Sequence, residues 1–314
     1  ADLDALVEPT TSGDPDSPLR WTSKSVRRLA TELQAMGHTV SYRLVAQLLH
    51  AADYCLQANR KTREGPQHPD RDAQFQYLNE QIRRFQRQHR PAISVDTKKK
   101  ELIGDFKNPG REWRPKGNPE AVRVHDFLIK ERGKAVPYGV YDITRNEGWV
   151  SVGRGRGRGG LGGRGMGRGG KGMGRSAYPD TTALLITADA GGSNGSRVRL
   201  WKWELQRFAN RTGLTITVCH FPPGTSKWNK IEHRLFSHIA MNWRGKPLVD
   251  LVTIISLIGD TTTEDGLRVR SEVDHGCYPK GVVIRDEQMA QIHLEPHAFH
   301  GDWNYTIRPR SKKY

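Results

Sequence analysis

Apolar residues recur every three or four positions in two short stretches near the start of the chain, a spacing typical of helices. They are Val26, Leu29, Leu33 and Met36 in the first stretch, and Leu44, Val45, Leu48 and Leu49 in the second. We expect Ser23 and Ser41 to cap the two helices and Gly37 to break the chain between them. Two short helices joined by a tight turn are typical of a helix-turn-helix, although an ordinary helical hairpin has the same spacing.

The outward positions of the second predicted helix are candidates for DNA contact. They are Tyr42, Arg43 and Gln47. We assign residues 21–70 to this small all-α region and a basic linker, "QANRKTREGPQHPDR", for which a solvated loop is an equally good interpretation. Residues 1–20 are acidic and contain Pro, Ser and Gly, so we expect that segment to be loosely ordered.

After residue 71 the pattern changes from helical spacing to short apolar runs. An amphipathic helix ending near Arg87 is indicated by Phe75, Leu78, Ile82 and Phe85. Five strands are then predicted, at "AISVDTKKKE", "VPYGVYDI", "GWVSVG", "TALLITADAGGSNG" and "LTITVCHF". Helices are predicted from Val198 to Phe208 and over "NKIEHRLFSHIAMNWRG". The mixture predicts an α/β fold for residues 71–314.

Three carboxylates occupy places in this pattern where a site is expected. Asp96 ends the first predicted strand, Asp189 ends the fourth, and Glu232 lies in the last predicted helix. Ligands of α/β sheets gather at the carboxyl ends of strands, and oxygen ligands suit Mg²⁺. Two such ions stabilise both the attacking and the leaving oxygens of a phosphodiester displacement. Taken alone the signal is weak, because a strand-end Asp is often a turn former.

Charge changes the picture by suggesting a polyanionic partner. The chain has 314 residues, with 50 Lys and Arg against 34 Asp and Glu, a net charge of +16. This excess favours nucleic acid over a merely solvated surface. The three cysteines have no metal-ligand spacing and fit a reducing, cytoplasmic setting, and no apolar run is long enough to predict a membrane span.

Basic and amide side chains flank the three carboxylates and are candidate DNA contacts. They are Lys98, Lys99, Lys100, Lys227, Asn229 and Lys230. A solvated charge run explains the lysines about equally well. Ser193 and Asn194, just after Asp189, are either phosphate contacts or a capped turn, and the turn is the favoured interpretation.

Five long blocks of sequence resemble one family. The blocks are "ISVDTKKKELIGDFKNPGREWRP", "YGVYDITRNEGWVSVG", "LLITADAGGSNGSRVRLWKWELQ", "TVCHFPPGTSKWNKIEHRLFSHIAMNWRGKPL" and "FHGDWNYTIRPR". Together they resemble the Rhodopirellula-type DDE transposases of bacterial insertion sequences, and more distantly the mariner-like superfamily. The resemblance runs from about Trp21 to Arg310.

The resemblance implies an RNase H-like mixed sheet flanked by helices, with Asp96, Asp189 and Glu232 as the catalytic, metal-binding DDE triad. It implies Mg²⁺ or Mn²⁺, with two ions in the site. The implied activity is strand cleavage at the transposon ends and strand transfer into target DNA. The implied partners are double-stranded DNA, both terminal repeats and target, and further copies of the chain in a synaptic complex. A nucleoid-associated location follows from these partners.

A run of glycine and arginine departs from the family pattern. Residues 153–177 begin with "GRGRGRGGLGGRGMGRGGKGMGR", where the family places an amphipathic helix. Glycine costs about 1 kcal/mol per residue relative to alanine in a helix, so this run predicts none. A frameshifted stretch and an RGG-like nucleic-acid-binding segment both explain the run, and its abrupt edges, at Gly153 and near Tyr178, favour the frameshift. The alternatives to an active enzyme are therefore a catalytically impaired DNA-binding remnant and, further off, an RGG-type RNA-binding protein.

Overall fold

A computed structural model describes residues 2–7, 25–52, 54, 68–154, 174–276 and 281–310. The chain divides into two compact units, residues 1–63 and 64–314. The central part of the Gly/Arg run and most of the basic linker lie outside the described residues, as does Trp21.

The first unit is a small group of helices around an apolar core. It contains α1 (Asp2–Val7), α2 (Val26–Ala35) and α3 (Tyr42–Ala51). The buried core residues are Leu29, Ala30, Leu33 and Val45, with Leu3 and Leu6 of α1 packed against them. Helix α1 lies in a segment for which composition predicted little order.

Serine side chains cap both predicted helices of this unit. Ser41 accepts a hydrogen bond from the backbone N–H of Leu44 (3.2 Å), which confirms that predicted cap. The other prediction was wrong by two residues, because Ser25 rather than Ser23 accepts from the N–H of Arg28 and begins α2.

The solvent-exposed face of α3 carries more apolar side chains than the sequence pattern predicted. Val45 is buried, but Leu44 and Leu48 are exposed, so the predicted single apolar face is only partly correct. Tyr42, Arg43 and Gln47 are exposed on the same helix. The guanidinium groups of Arg27 and Arg43 lie over the Tyr42 ring.

The second unit is built on one mixed sheet. Its strands are β1 (Ala92–Thr97), β2 (Glu101–Leu102), β3 (Lys134–Asp142), β4 (Glu147–Arg154), β5 (Ala183–Ala188), β6 (Thr215–His220), β7 (Arg268–Asp274), β8 (Leu294–Pro296) and β9 (Asn304–Ile307). Its helices are α4 (Arg71–Arg87), α5 (Arg175–Ala177), α6 (Arg199–Thr212), α7 (Ser237–Asn242), α8 (Leu251–Gly259) and α9 (Asp286–Met289). A π-helix, Glu232–Phe236, leads directly into α7.

Strand β1 occupies the centre of the sheet. The order is β7-β4-β3-β1-β5-β6-β9-β8, with β2 paired to β3. Strand β3 runs antiparallel to β1, whereas β5 and then β6 run parallel to it. This arrangement puts the first two predicted acidic residues on neighbouring parallel strands, as the resemblance implied.

Helices cover both faces of the sheet because the side chains of each strand alternate between the faces. On one face Val95, Ile186 and Val218 pack with Trp201 and Leu205 of α6. On the other face Leu185 packs with α4, and Val150 packs with Leu235 of the π-helix and Ile254 of α8. The mixed α/β sheet flanked by helices, preceded by a small all-α unit, is therefore confirmed.

Two parts of the second unit differ from the sequence prediction. The single helix predicted from Asn229 is instead the π-helix followed by α7, and a 3₁₀ turn (Ser226–Trp228) precedes them. Strands β7 and β9, which extend the sheet on opposite sides, were not predicted. Among the described residues, no helix has the length and apolarity to cross a membrane.

Candidate active site

The ends of β1 and β5 bring two carboxylates side by side. Val95 of β1 and Ala188 of β5 are paired residues in parallel register. Asp96 and Asp189 are the next residues on each strand, and both are half-buried. The backbone N–H of Thr97 donates to Asp96 Oδ1 at 2.7 Å, which orients that carboxylate.

Glu232 reaches the same place from the first turn of the π-helix. The backbone before it is tied to the central strand, since the N–H of Ile231 donates to Ser94 Oγ (3.3 Å). The ring of Phe236 and the side chain of Ile231 lie against the backbone of Gly139 on β3. A Cβ at Gly139 would come within 2.6 Å of Phe236, so this close approach needs glycine.

Asn229 links the three elements of the site through a fully buried amide. Its Nδ2 donates to Asp189 Oδ1 at 2.9 Å, and its Oδ1 accepts from Ser94 Oγ at 2.5 Å. Ser94 lies two residues before Asp96 on β1. The amide therefore fixes the Asp189 carboxylate relative to both β1 and the segment that carries Glu232.

The pKa values show that the three carboxylates lie close enough to repel one another. Burial, followed by the charge of Asp189, raises the pKa of Asp96 to about 7. Burial and the Asp189 charge also raise the pKa of Glu232, against smaller lowering effects of Lys98 and His233. Burial raises the pKa of Asp189, and its hydrogen bond from Asn229 acts in the opposite direction.

These residues fit a hard divalent cation. Three half-buried carboxylates supply oxygen ligands. Burial raises the pKa of each, and the charge of Asp189 raises the pKa values of Asp96 and Glu232 further. A divalent ion would favour the ionised form of these carboxylates by supplying the opposite charge.

A buried histidine holds the backbone of Asp189 in place. His220 Nδ1 hydrogen-bonds to the Asp189 carbonyl oxygen (3.0 Å), and its Nε2 to the hydroxyl of Tyr305 (3.1 Å). That hydroxyl accepts from Trp201 Nε1 (3.1 Å). Burial lowers the pKa of His220 to about 4, so the ring is neutral and donates from Nδ1. His220 therefore positions Asp189 through a hydrogen bond to its backbone.

Buried polar atoms without partners lie beside the carboxylates. Tyr138 is fully buried, and burial followed by the charge of Asp96 raises its pKa well above the ordinary range, so the phenol is neutral. The side chain of Asn194 lies next to it and is also buried. Within the described part of the chain, neither the phenol oxygen nor either amide atom of Asn194 has a partner in hydrogen-bond geometry. Because these atoms are inaccessible to solvent, they are part of the buried surroundings of the site.

The predicted DNA-contact residues near the site fall into two groups. Lys98 is buried, pairs with Glu101 (3.2 Å) and lies over the Trp243 ring (4.5 Å), while Asn229 is fully buried beneath Asp189. Neither faces solvent, so we reinterpret both as residues that support the site. Lys99 and Lys227 are exposed, and Lys100 and Lys230 are half-buried.

Sequence reasoning did not assign the supporting roles of Ser94, Asn229 and His220. A polar residue inside an otherwise apolar strand, as in "AISVDT" and "TITVCH", is the signal that was present for two of them. Such a residue needs a buried partner, but the sequence does not say which partner it has.

Fold and site together define a mixed α/β protein with three clustered carboxylates, two at the ends of β1 and β5 and the third on the π-helix. Residues 2–309 match the family described as Rhodopirellula transposase DDE domain. The chain therefore belongs to this transposase family. No curated protein sequence matches it.

Solved structures similar to this chain are complexes of the Mos1 transposase. The pre-cleavage Mos1 transpososome has a TM-score of 0.45 and 13% identity, over 80% of this chain and 67% of that one. The Mos1 strand transfer complex gives 0.44 and 14%, over 81% and 67%. The Mos1 paired-end complex with the left transposon end gives 0.43 and 13%, also over 81% and 67%. These likenesses are distant.

Proposed function

We propose that this chain is an active transposase, which cleaves DNA at the ends of its own insertion sequence and joins the freed ends to target DNA. The observation that carries the proposal is the cluster of Asp96, Asp189 and Glu232, which three separate segments of the second unit bring together in a chain that matches the transposase family. Mg²⁺ or Mn²⁺ is the proposed cofactor, and when bound it would supply charge neutralisation for phosphoryl transfer.

The side chains have distinct proposed roles in holding this site together. Asp96, Asp189 and Glu232 hold the ions. Asn229 fixes the side chain of Asp189, and His220 fixes its backbone. Asp189 is therefore already ordered as a metal ligand before the reaction begins.

The chemistry consists of two displacements at phosphorus. In cleavage, a water oxygen bonds to phosphorus while the bond to the 3′-oxygen breaks, leaving a 3′-hydroxyl and a 5′-phosphate. In joining, that 3′-oxygen bonds to a target phosphorus and the target 3′-oxygen leaves, taking up a proton. Each step replaces one phosphorus–oxygen bond with another, so the protein contributes mainly positioning and electrostatic stabilisation.

The test is a cleavage and joining assay on a duplex that carries the terminal sequences flanking the gene, with Mg²⁺ or Mn²⁺. We expect Asp96→Asn, Asp189→Asn and Glu232→Gln each to abolish nicking while leaving DNA binding intact. Glu264→Gln, which changes an exposed acid in the turn before β7, is the matched control. Binding without metal-dependent cleavage by the unaltered chain would overturn the proposal and leave the impaired remnant as the function.

A further inference from the structure

A second group of side chains able to bind a metal ion lies where the start of α4 meets the turn before β9. It consists of His68, Asp70 and His300, none of which belongs to the carboxylate triad. One ligand atom from each lies within 4.8 Å of the others. Asp70 and His300 are 230 residues apart in sequence, so the fold itself assembles this group.

The Asp70 carboxylate lies between the two imidazoles. Its Oδ2 is 3.0 Å from His300 Nε2 and 3.8 Å from His68 Nδ1. The backbone N–H of Asp70 donates to His68 Nδ1 (3.2 Å), so that nitrogen carries its lone pair rather than a proton. Two imidazole nitrogens and one carboxylate oxygen are the ligand types of zinc sites in proteins.

Both imidazole rings are held in place before any ion arrives. The His300 ring stacks on Trp303 with centroids 4.4 Å apart, and Trp303 is buried. The His68 ring meets Trp303 edge-on at 4.8 Å. His300 adopts a left-handed backbone conformation (φ 43°), which is uncommon outside glycine, although histidine tolerates it better than most residues.

A carboxylate also lies behind one of the imidazoles. Asp302 Oδ1 is 3.8 Å from His300 Nδ1, the ring nitrogen that faces away from Asp70. Metal-binding histidines commonly place a carboxylate on their second nitrogen, which fixes the tautomer and increases the basicity of the ligand. At 3.8 Å this contact is longer than a hydrogen bond, so Asp302 places negative charge near His300 without fixing its tautomer.

We propose that His68, Asp70 and His300 bind one zinc ion per chain. The His68 and Asp70 side chains are 38% and 50% exposed, so the ion reaches them directly and water completes its coordination. Zinc replaces two hydrogen bonds, the one between His300 and Asp70 and the one from the Asp70 N–H to His68 Nδ1, and it joins the start of α4 to the turn before β9. The proposal does not depend on strand cleavage.

The test uses the full chain after treatment with EDTA and removal of the chelator, titrated calorimetrically with Zn²⁺ and optically with Co²⁺. His300→Asn removes the imidazole but keeps a residue that tolerates the left-handed backbone. We expect it and His68→Asn each to weaken Zn²⁺ binding by at least about 100-fold, since each removes one of three protein ligands. Asp189→Asn separates this site from the triad and should leave the affinity unchanged.

The matched control is His293→Asn, an exposed histidine that lies near one carboxylate, Glu295 (3.7 Å), on the same part of the fold. Full affinity in both His68→Asn and His300→Asn would overturn the proposal. So would the absence of stoichiometric binding by the unaltered chain, which would make His300 and Asp70 a structural pair only.

A second measurement does not depend on the variants folding. Zinc-edge X-ray absorption of the loaded, unaltered chain should show two imidazole ligands, and one or none would overturn the proposal. Zinc at about 100 times its dissociation constant should also raise the Tm by about 5 °C, because it binds only the folded state.

Discussion

At the scale of single residues, the ionised Asp96 side chain should lower the stability of the metal-free protein. Its pKa is raised from 3.8 to about 7, so the folded state binds a proton more tightly than the unfolded state between those values. Stability therefore falls as the pH rises from about 4 to about 7. A pKa change of this size lowers the free energy of unfolding by at most about 4 kcal/mol.

Asp96→Asn should remove that cost and keep the hydrogen bond from Thr97. We expect the variant to be more stable than the unaltered protein at pH 8 in EDTA, with the difference disappearing near pH 4. Urea unfolding at both pH values measures it, and Glu264→Gln should show no such gain. Equal stability of Asp96→Asn and the unaltered chain at pH 8 would show that burial and the neighbouring carboxylates do not disfavour the charged form of Asp96.

Asn229 provides the second prediction at this scale. Asn229→Ala leaves Ser94 Oγ and Asp189 Oδ1 without their partner, so we expect a loss of about 1–3 kcal/mol in the free energy of unfolding. Loss of a residue that orients a ligand should also weaken Mn²⁺ binding about 10- to 100-fold. Asn79→Ala, at an exposed position on α4, is the control. Weaker folding with unchanged Mn²⁺ affinity would mean that Asn229 only stabilises the fold.

The acidic residues were predictable from sequence and their supports were not. Asp96 lies near the end of one apolar strand and Asp189 directly follows another, and strand ends of a parallel pair meet at one edge. In the sequence, Asn229 and Lys98 look like solvent-facing residues of a basic stretch. In the structure both are buried and support the site instead of contacting DNA. Burial of a polar side chain depends on which strand lies next to it, and that pairing is a property of the whole sheet.

At the scale of elements, the contact between the π-helix and β3 sets the position of Glu232. A methyl group at Gly139 would lie 2.6–2.8 Å from Phe236 and Ile231, so Gly139→Ala must push this helix away from the sheet. We expect a loss of about 1–3 kcal/mol in stability. Cleavage should fall further than this loss explains, because the displaced helix carries Glu232.

Gly174→Ala, where an added Cβ meets nothing within 4 Å, is the control. Cleavage by folded Gly139→Ala at the unaltered rate would show that Glu232 tolerates movement.

The local hydrophobic pattern correctly predicted those helices and strands that carry a regular apolar pattern in their own sequence. The stripes of α4 and α6 and the apolar runs of β1, β5 and β6 were found because each buries a regular set of side chains. Strand β7 reads "RVRSEVD", with a charge or hydroxyl at most positions, and it exists because β4 offers it a parallel edge. The π-helix was missed because its irregularity follows from packing against Gly139 and Gly148, which are distant in sequence.

At the scale of the whole molecule, recognition of DNA ends and strand chemistry should be separable between the two units. Arg43 lies on α3 of the first unit, and all three triad carboxylates lie in the second. Contacts to base edges distinguish one sequence from another, whereas a positive charge alone strengthens binding to any duplex. Arg43→Ala should therefore reduce the preference for the element's ends over a scrambled duplex, by about 10-fold if the side chain makes a good base contact.

Arg28→Ala removes the same charge from α2, where the guanidinium pairs with Glu32, and makes the comparison direct. This control should weaken binding to both duplexes equally and leave the preference unchanged. Mn²⁺ binding by the second unit should be unaffected in both variants. Binding curves for both duplexes at several salt concentrations measure the effect, because a lost phosphate contact lowers the salt dependence and a lost base contact lowers the preference. If Arg43→Ala behaves as Arg28→Ala does, α3 contributes charge without reading sequence, and recognition of the ends must lie elsewhere in the chain.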